Sequence, residues 1–385
     1  MKSIELNNFK CFNSVRIPLN GLTLLTGANG AGKSSVIQAF TLLRRTIEHC
    51  AKWNDKDKRY EYPTNSEINN LNVELNGAYC LALGTSAQVL PINSNDDFVE
   101  IKFIDGESYL SVKYDTGNGN ELHITPNEVQ NTLGNESKLF AQEFFYLNAE
   151  RIGPRISQGV KFYDYPNVGW QGEFVAQILG DTEITQKIVV DENRRAAESE
   201  SPRIEQQTKA WMNFVLPGFD IDAFYSPDLL SAQIRVDNSF TRGNPVLSTN
   251  VGFGISYVLP IVVTGLLAPK GCFMIVENPE AHLHPSAQSK IGRYLAAIAN
   301  AGVNVIVETH SDHVINGIQI ATIKNEIAPS LITINYFHQK GQQTQPECLS
   351  ISVNDRGELS EWPEGFFDQT QIDYMELFNA KKRNA

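Results

Sequence analysis

Eight residues near the start of the chain, Gly27-Ala28-Asn29-Gly30-Ala31-Gly32-Lys33-Ser34, follow the spacing G-x-x-x-x-G-K-S. The apolar run Gly21-Leu22-Thr23-Leu24-Leu25-Thr26 precedes them, and Ser35-Val36-Ile37-Gln38-Ala39-Phe40-Thr41-Leu42-Leu43 follows. A strand, a glycine-rich turn and a helix in that order form a phosphate-binding loop. The glycines let successive backbone N–H groups turn toward phosphate oxygens, and the new helix adds positive potential at its N-terminus. In this reading Gly27, Asn29, Gly30, Gly32 and Ser35 line a triphosphate, Lys33 reaches its β- and γ-phosphates, and Ser34 offers its hydroxyl to Mg²⁺. The motif therefore demands a nucleotide-binding α/β core.

A second segment restores the same pattern near residue 271. Cys272-Phe273-Met274-Ile275-Val276 and Val303-Asn304-Val305-Ile306-Val307 read as buried strands, with a helix over Ser286 to Ala299 between them. That is a βαβ crossover and predicts a parallel sheet. The first strand runs into Glu277-Asn278-Pro279-Glu280-Ala281-His282-Leu283-His284-Pro285 and the second into Glu308-Thr309-His310-Ser311-Asp312. A carboxylate ending a buried strand near a phosphate loop marks the Mg²⁺ and water side of such a site. Hence Glu277 is expected at the metal with Ser34, Glu280 as the nearest further carboxylate, and His310 at the γ-phosphate.

Composition narrows the partners. At 385 residues, 42% apolar and 20% charged, the chain reads as a globular protein of two or three lobes. No apolar stretch reaches the roughly 18 residues of a membrane helix, and Lys2, Glu5 and Lys10 interrupt any leader. Five scattered cysteines form no C-x-x-C pair, as expected of reduced thiols in a cytoplasm. The net charge of −12 disfavours non-specific nucleic-acid binding by one chain and leaves a DNA groove to an oligomer. The basic clusters Arg44-Arg45, Lys56 to Arg59, Arg194-Arg195 and Lys381-Lys382-Arg383 read as solvated faces. Asn54 to Asn70 reads as a polar surface loop, Asp220-Ile221-Asp222 as a solvated turn, and Arg151 as a salt-bridge partner. His282 and His284 alternate as metal ligands could, but no third ligand has recognisable spacing.

In this combination the chain resembles the ATP-binding-cassette heads of the SMC and RecF kind, among the single-chain AAA-type ATPases of prokaryotes. Ile4 to Phe12 resembles their opening strand, Pro279 to Pro285 their Walker B extension and D-loop, and Thr309-His310-Ser311 their H-switch. Asn250-Val251-Gly252-Phe253-Gly254-Ile255-Ser256 stands in the slot of their signature helix without being L-S-G-G-Q. Ile351 to Leu359 and Trp362 to Gln369 resemble a small domain appended to a subset often encoded in antiviral defence loci, and Tyr146 to Arg155 resembles a segment of that subset. The likeness covers roughly the first fifty residues and those from about 245 to 375, and only loosely the part between.

The resemblance implies an α/β fold: an SMC-head-like core with a mixed sheet, an inserted lobe of strands and helices, and a C-terminal cap. The expected divisions are 1–95, 96–245, 246–340 and 341–385. It implies ATP and Mg²⁺ as ligands, a homodimer or higher homo-oligomer, and a separate nuclease- or toxin-like effector. Gly252, Gly254 and Ser256 of one copy would cover the nucleotide of the other. The family's Asp-Glu pair is replaced by Glu277 and Asn278, and an Asn cannot act as general base, so slow hydrolysis is expected. Gln88 is the provisional Q-loop residue. The function implied is a nucleotide-gated switch in antiviral defence; a DNA-repair ATPase and an ATP-binding scaffold are the alternatives.

Overall fold

The computed structural model describes residues 2–62, 71–92, 94, 96–241, 243–341 and 345–383. The chain opens with strands β1 (Lys2–Phe9), β2 (Phe12–Leu19) and β3 (Leu22–Gly27), and helix α1 (Lys33–Cys50) follows the phosphate loop. Short strands β4 (Lys52–Asn54), β5 (Arg59–Glu61) and β6 (Val73–Glu74) lead to β7 (Phe98–Asp105), β8 (Ser108–Asp115), β9 (His123–Asn131) and β10 (Phe145–Leu147). Helices α2 (Val175–Gly180), α3 (Thr182–Lys187) and α4 (Ile204–Val215) precede β11 (Phe219–Ser226), β12 (Ser231–Asn238) and β13 (Val246–Leu247). The second half of the core holds α5 (Phe253–Leu267), β14 (Phe273–Glu277), α6 (Pro285–Asn300), β15 (Asn304–Glu308) and α7 (Asp312–Ile323). Strands β16 (Ile332–His338) and β17 (Glu347–Ile351) and helix α8 (Gln369–Arg383) complete the order.

The central sheet runs β10-β14-β15-β3-β16-β17. Its first five strands are parallel, and β17 closes one edge antiparallel. Alternate side chains divide between two cores. Leu22, Leu24, Met274, Val276, Val305 and Val307 face helices α4 to α7. Leu25, Phe273, Ile275 and Ile306 face α1 and a second sheet. Burial on both faces explains the continuous apolar runs of these strands.

That second sheet is antiparallel, in the order β2-β1-β7-β8-β9-β6. Strand β1 pairs with both β2 and β7. The strands read as an inserted lobe from residue 96 are thus built onto the N-terminus, because alternating apolar residues on β7 and β8 continue the buried face of β1. Likewise β17 belongs to the central sheet rather than to a separate cap.

Several local expectations change. Part of the polar stretch after Asn54 is the β4–β5 hairpin, while residues 63–70 lie outside the described residues. Asp220 and Asp222 lie on β11, each within 3.0 Å of the Lys209 ammonium, rather than in a turn. Arg44 and Arg194 are not on solvated faces. Arg44 is fully buried and donates to the carbonyls of Leu139, Ala141 and Gln142 and to Glu48. Arg194 is buried too, donating to the carbonyls of Gly265, Leu266 and Ala268 and to Asp191. A buried guanidinium is tolerable only when carbonyls and a carboxylate take up most of its donors, as they do here. Among the described residues no helix is long and apolar enough to cross a membrane.

Candidate functional site

The site forms where β3, β14 and β15 end, at the carboxyl edge of the parallel sheet, the usual ligand position in such sheets. Gly27 leaves β3 with φ +130°, and a Cβ there would lie 2.1 Å from the Phe337 carbonyl oxygen. Gly32 has φ +95°, and a Cβ there would strike the Phe12 ring at 2.4 Å. Between them Ala28, Asn29 and Gly30 are exposed, and nothing lies within 4 Å of a Cβ built on Gly30. Helix α1 begins without a side-chain cap and without an acidic residue in its first turn. Its first N–H groups are therefore available to an anion.

Lys33 is 3% exposed, and its ammonium donates to its own loop, to Gly27 O at 2.9 Å and Ala28 O at 2.8 Å. Burial lowers its pKa, opposed by the Glu308 carboxylate. The Ser34 hydroxyl lies 3.1 and 3.3 Å from the two carboxylate oxygens of Glu308. Glu308 has the register partner Glu277 on β14, and strand β15 stands between β14 and β3. Burial, reinforced by Glu277, pushes the Glu308 carboxyl up to about 7, against the pull of Lys33 and Ser34.

Glu277 turns the other way. It accepts from the Tyr146 hydroxyl at 2.8 Å, which in turn accepts from Asn148 Nδ2 at 2.8 Å. Burial raises the Glu277 carboxyl, opposed by that hydroxyl and the Ala149 N–H. Arg151, expected in a salt bridge, instead donates to the carbonyls of Asn148, Glu277 and Asn278 at 3.0, 2.6 and 2.6 Å and lies over the Tyr257 ring. Burial brings its guanidinium down to about 10, still charged at neutral pH. Asn278 adopts φ +44° and donates its N–H to Glu308 O. Asn enters this left-handed region more readily than most side chains.

Glu280 joins the two strand ends. Its oxygens accept from Thr309 Oγ1 at 2.8 Å and His310 N at 2.7 Å, and burial raises its carboxyl. Partial burial of the His310 imidazole, and then Lys33, lowers its pKa. Gly252 caps α5, followed by Phe253 and by Gly254, where a Cβ would lie 3.2 Å from the His282 carbonyl oxygen. Phe253 and Tyr257 close on the His282 ring, centroids 5.2 and 4.5 Å apart. His284 caps α6 by accepting from Ser286 N. The two histidines thus have structural partners, and Ser256 is part-buried on α5. Gln88 accepts from Thr85 N inside its own capping box, so its side chain serves that turn.

Sequence reasoning brought Lys33, Ser34, Glu277, Glu280 and His310 to one edge but passed over Glu308, Tyr146 and Asn148. Strand order was the missing signal for Glu308, because it alone puts β15 beside the phosphate loop. A hydroxyl and carboxylates suit Mg²⁺, which takes oxygen ligands shared with phosphates and water. Among the described residues no three His, Cys, Asp or Glu side chains gather closely enough to hold an ion alone. The exposed glycine cradle suits the phosphates.

Comparison with known proteins agrees with this fold. Residues 1–152, phosphate loop included, match an "AAA ATPase domain" family. Residues 327–377 match a "Protein of unknown function (DUF3696)" family. An SMC head bound to the C-winged helix domain of ScpA superimposes with TM-score 0.56 at 11% identity, covering 91% of this chain and 97% of that one. An SMC head with an extended coiled coil bound to the C-terminal domain of ScpA, from Pyrococcus furiosus, gives TM-score 0.49 at 12% identity over 91% and 97%. At such identity the first likeness shows the fold, that of an SMC-type P-loop head. A stretch of 43 residues is 37% identical to the OLD nuclease of Thermus scotoductus, spanning 11% of this chain and only 8% of that relative. Residues 111–316, more than half of the chain, match the family described as "AAA domain, putative AbiEii toxin, Type IV TA system", and the chain belongs to that family of AAA-domain proteins.

Proposed function

We propose that the chain is a slow ATPase and a nucleotide-gated switch. The observation that carries this reading is the open glycine cradle at the uncapped start of α1, with Lys33 and Ser34 behind it and Glu280 beside His310. Mg²⁺, when bound with the nucleotide, neutralises phosphate charge. Lys33 would exchange its loop carbonyls for phosphate oxygens, and Ser34 with a carboxylate at the strand ends would supply the hard-oxygen side. Glu280, fixed by Thr309 and His310, takes the proton of the attacking water. Asn278 lacks a base and can only orient that water by hydrogen bonding, which makes turnover slow.

Two copies closing on ATP, with Gly252, Gly254 and Ser256 of each over the other's nucleotide, give the switch its two states. The free energy for work on a partner is the difference in nucleotide affinity between them. The toxin named in the family description and the short likeness to a nuclease support a role in antiviral defence with a separate effector. The net charge of −12 weighs against direct work on DNA.

Equilibrium binding of ATP and steady-state phosphate release decide the matter. Lys33→Ala is expected to abolish ATP binding. Glu280→Gln should retain binding and lose about 10²–10⁴-fold in turnover. ATP affinity unchanged in Lys33→Ala would end this reading. Hydrolysis strongly stimulated by DNA with a steep salt dependence would favour a repair ATPase instead.

A further inference from the structure

We infer that Glu308, not Glu277, is the carboxylate this site turns toward a nucleotide-bound divalent cation, acting together with Ser34. The inference rests on the ATP-binding reading above and assigns the metal side of that same site.

Three observations carry it. The first is topological. With the order β10-β14-β15-β3, the strand ending in Glu308 is next to the strand that enters the phosphate loop, and the one ending in Glu277 is a strand further away. The second is the contact itself. Both Glu308 oxygens lie within 3.3 Å of the Ser34 hydroxyl, the group that a phosphate loop offers to the ion. A hydroxyl has one proton, so it satisfies one carboxylate oxygen at a time. A carboxylate has about four acceptor positions, and among the described residues Ser34 is the only side chain hydrogen-bonded to this one. Its remaining capacity is open to a cation or to the cation's water.

The third observation removes the competitor. Glu277 is engaged with Tyr146, Tyr146 with Asn148, and the Glu277 and Asn278 carbonyls with Arg151. All of these partners belong to β10 and the loop after it, on the side of β14 away from the phosphate loop. Glu277 is thereby a positioning residue for the Tyr146–Arg151 segment. The Tyr146 hydroxyl and the Ala149 N–H hold that carboxylate toward β10, and swinging it to the cation would give up both bonds.

The test is the gain in affinity that Mg²⁺ gives to a fluorescent nucleotide. Mant-ATP is titrated into the 385-residue chain with Mg²⁺ and again with EDTA. Glu308→Gln should cut the Mg²⁺-dependent gain about 10–100-fold, as loss of a metal-orienting carboxylate does, and leave the EDTA affinity close to wild type. Glu277→Gln should keep the gain. Glu308→Asp, which retains the charge, should recover part of it as Mg²⁺ is raised. Ser34→Ala should lose the gain, and adding Glu308→Gln to it should cost nothing more. Mn²⁺ resonance with ADP present gives a second readout: bound Mn²⁺ is lost in Glu308→Gln and kept in Glu277→Gln. Loss of the gain in Glu277→Gln with its retention in Glu308→Gln would overturn the assignment. If Glu308→Gln does not fold, the Asp variant and the Ser34→Ala pair decide by the same criterion. Wild-type protein that binds mant-ATP in neither buffer overturns the nucleotide reading, and this assignment falls with it.

Discussion

Gly27 is the residue on which the phosphate loop turns. Its φ of +130° and the Phe337 carbonyl 2.1 Å from a built Cβ leave no place for a side chain. Gly27→Ala is expected to destabilise the protein by more than the ~1–3 kcal/mol of the strained backbone alone, seen as a lower urea midpoint. Gly30→Ala, facing open space, is limited to the cost of its own left-handed backbone. Equal midpoints for the two variants would contradict this account. These residues were legible because the motif is contiguous: eight positions specify their own geometry. Asn278 was half legible. The sequence shows a carboxylate missing, and the structure adds a left-handed backbone and an N–H spent on the Glu308 carbonyl. Glu308 itself could not be found that way, since its partner Ser34 is 274 positions away.

Three buried arginines set the elements around the site. Arg44 ties α1 to the loop at 139–142, Arg194 ties the segment after α3 to the end of α5, and Arg151 ties the loop after β10 to the turn after β14. Arg44→Ala is expected to cost about 3–5 kcal/mol, because it leaves Glu48, two buried carbonyls and a part-buried third short of a donor. Arg151→Met, a near match in size, should cost less in stability yet slow ATP turnover by loosening the turn that carries Asn278 and Glu280. Thermal melts beside phosphate-release rates separate the two effects; a drop in melting temperature for Arg151→Met as large as for Arg44→Ala would refute the distinction. Sequence reading failed here for a physical reason. A basic residue is solvated unless carbonyls surround it, and those carbonyls come from distant segments. The strand periods, by contrast, were readable, and β7 and β8 lie where alternation put them.

At the scale of the molecule, the proposed closure needs the Gly252 end of α5 to be open. Gly252 has ordinary extended angles, φ −64° and ψ 151°, and nothing within 4 Å of a built Cβ. Gly252→Arg should therefore leave melting temperature and ATP affinity unchanged while blocking nucleotide-dependent pairing. Light scattering on Glu280→Gln with Mg²⁺ and ATP, with and without Gly252→Arg, measures this; a dimer that survives the arginine would move the pairing surface elsewhere. Long-range pairing was the least legible feature of all. Nothing local says that β1 joins β7 as well as β2, because the choice lies in the complementary faces of strands some ninety positions apart.

Helices α6 and α7 meet through glycines on both sides. A Cβ on Gly292 would lie 2.3 Å from Val314 O, and one on Gly317 1.9 Å from Ser289 O. One helix starts from the Walker B extension, the other from the segment holding His310, and Ser311 Oγ donates to Gln288 across the join. Interlocked in this way, the two rods cannot slip along each other. A tilt of one helix is therefore expected to carry the other with it.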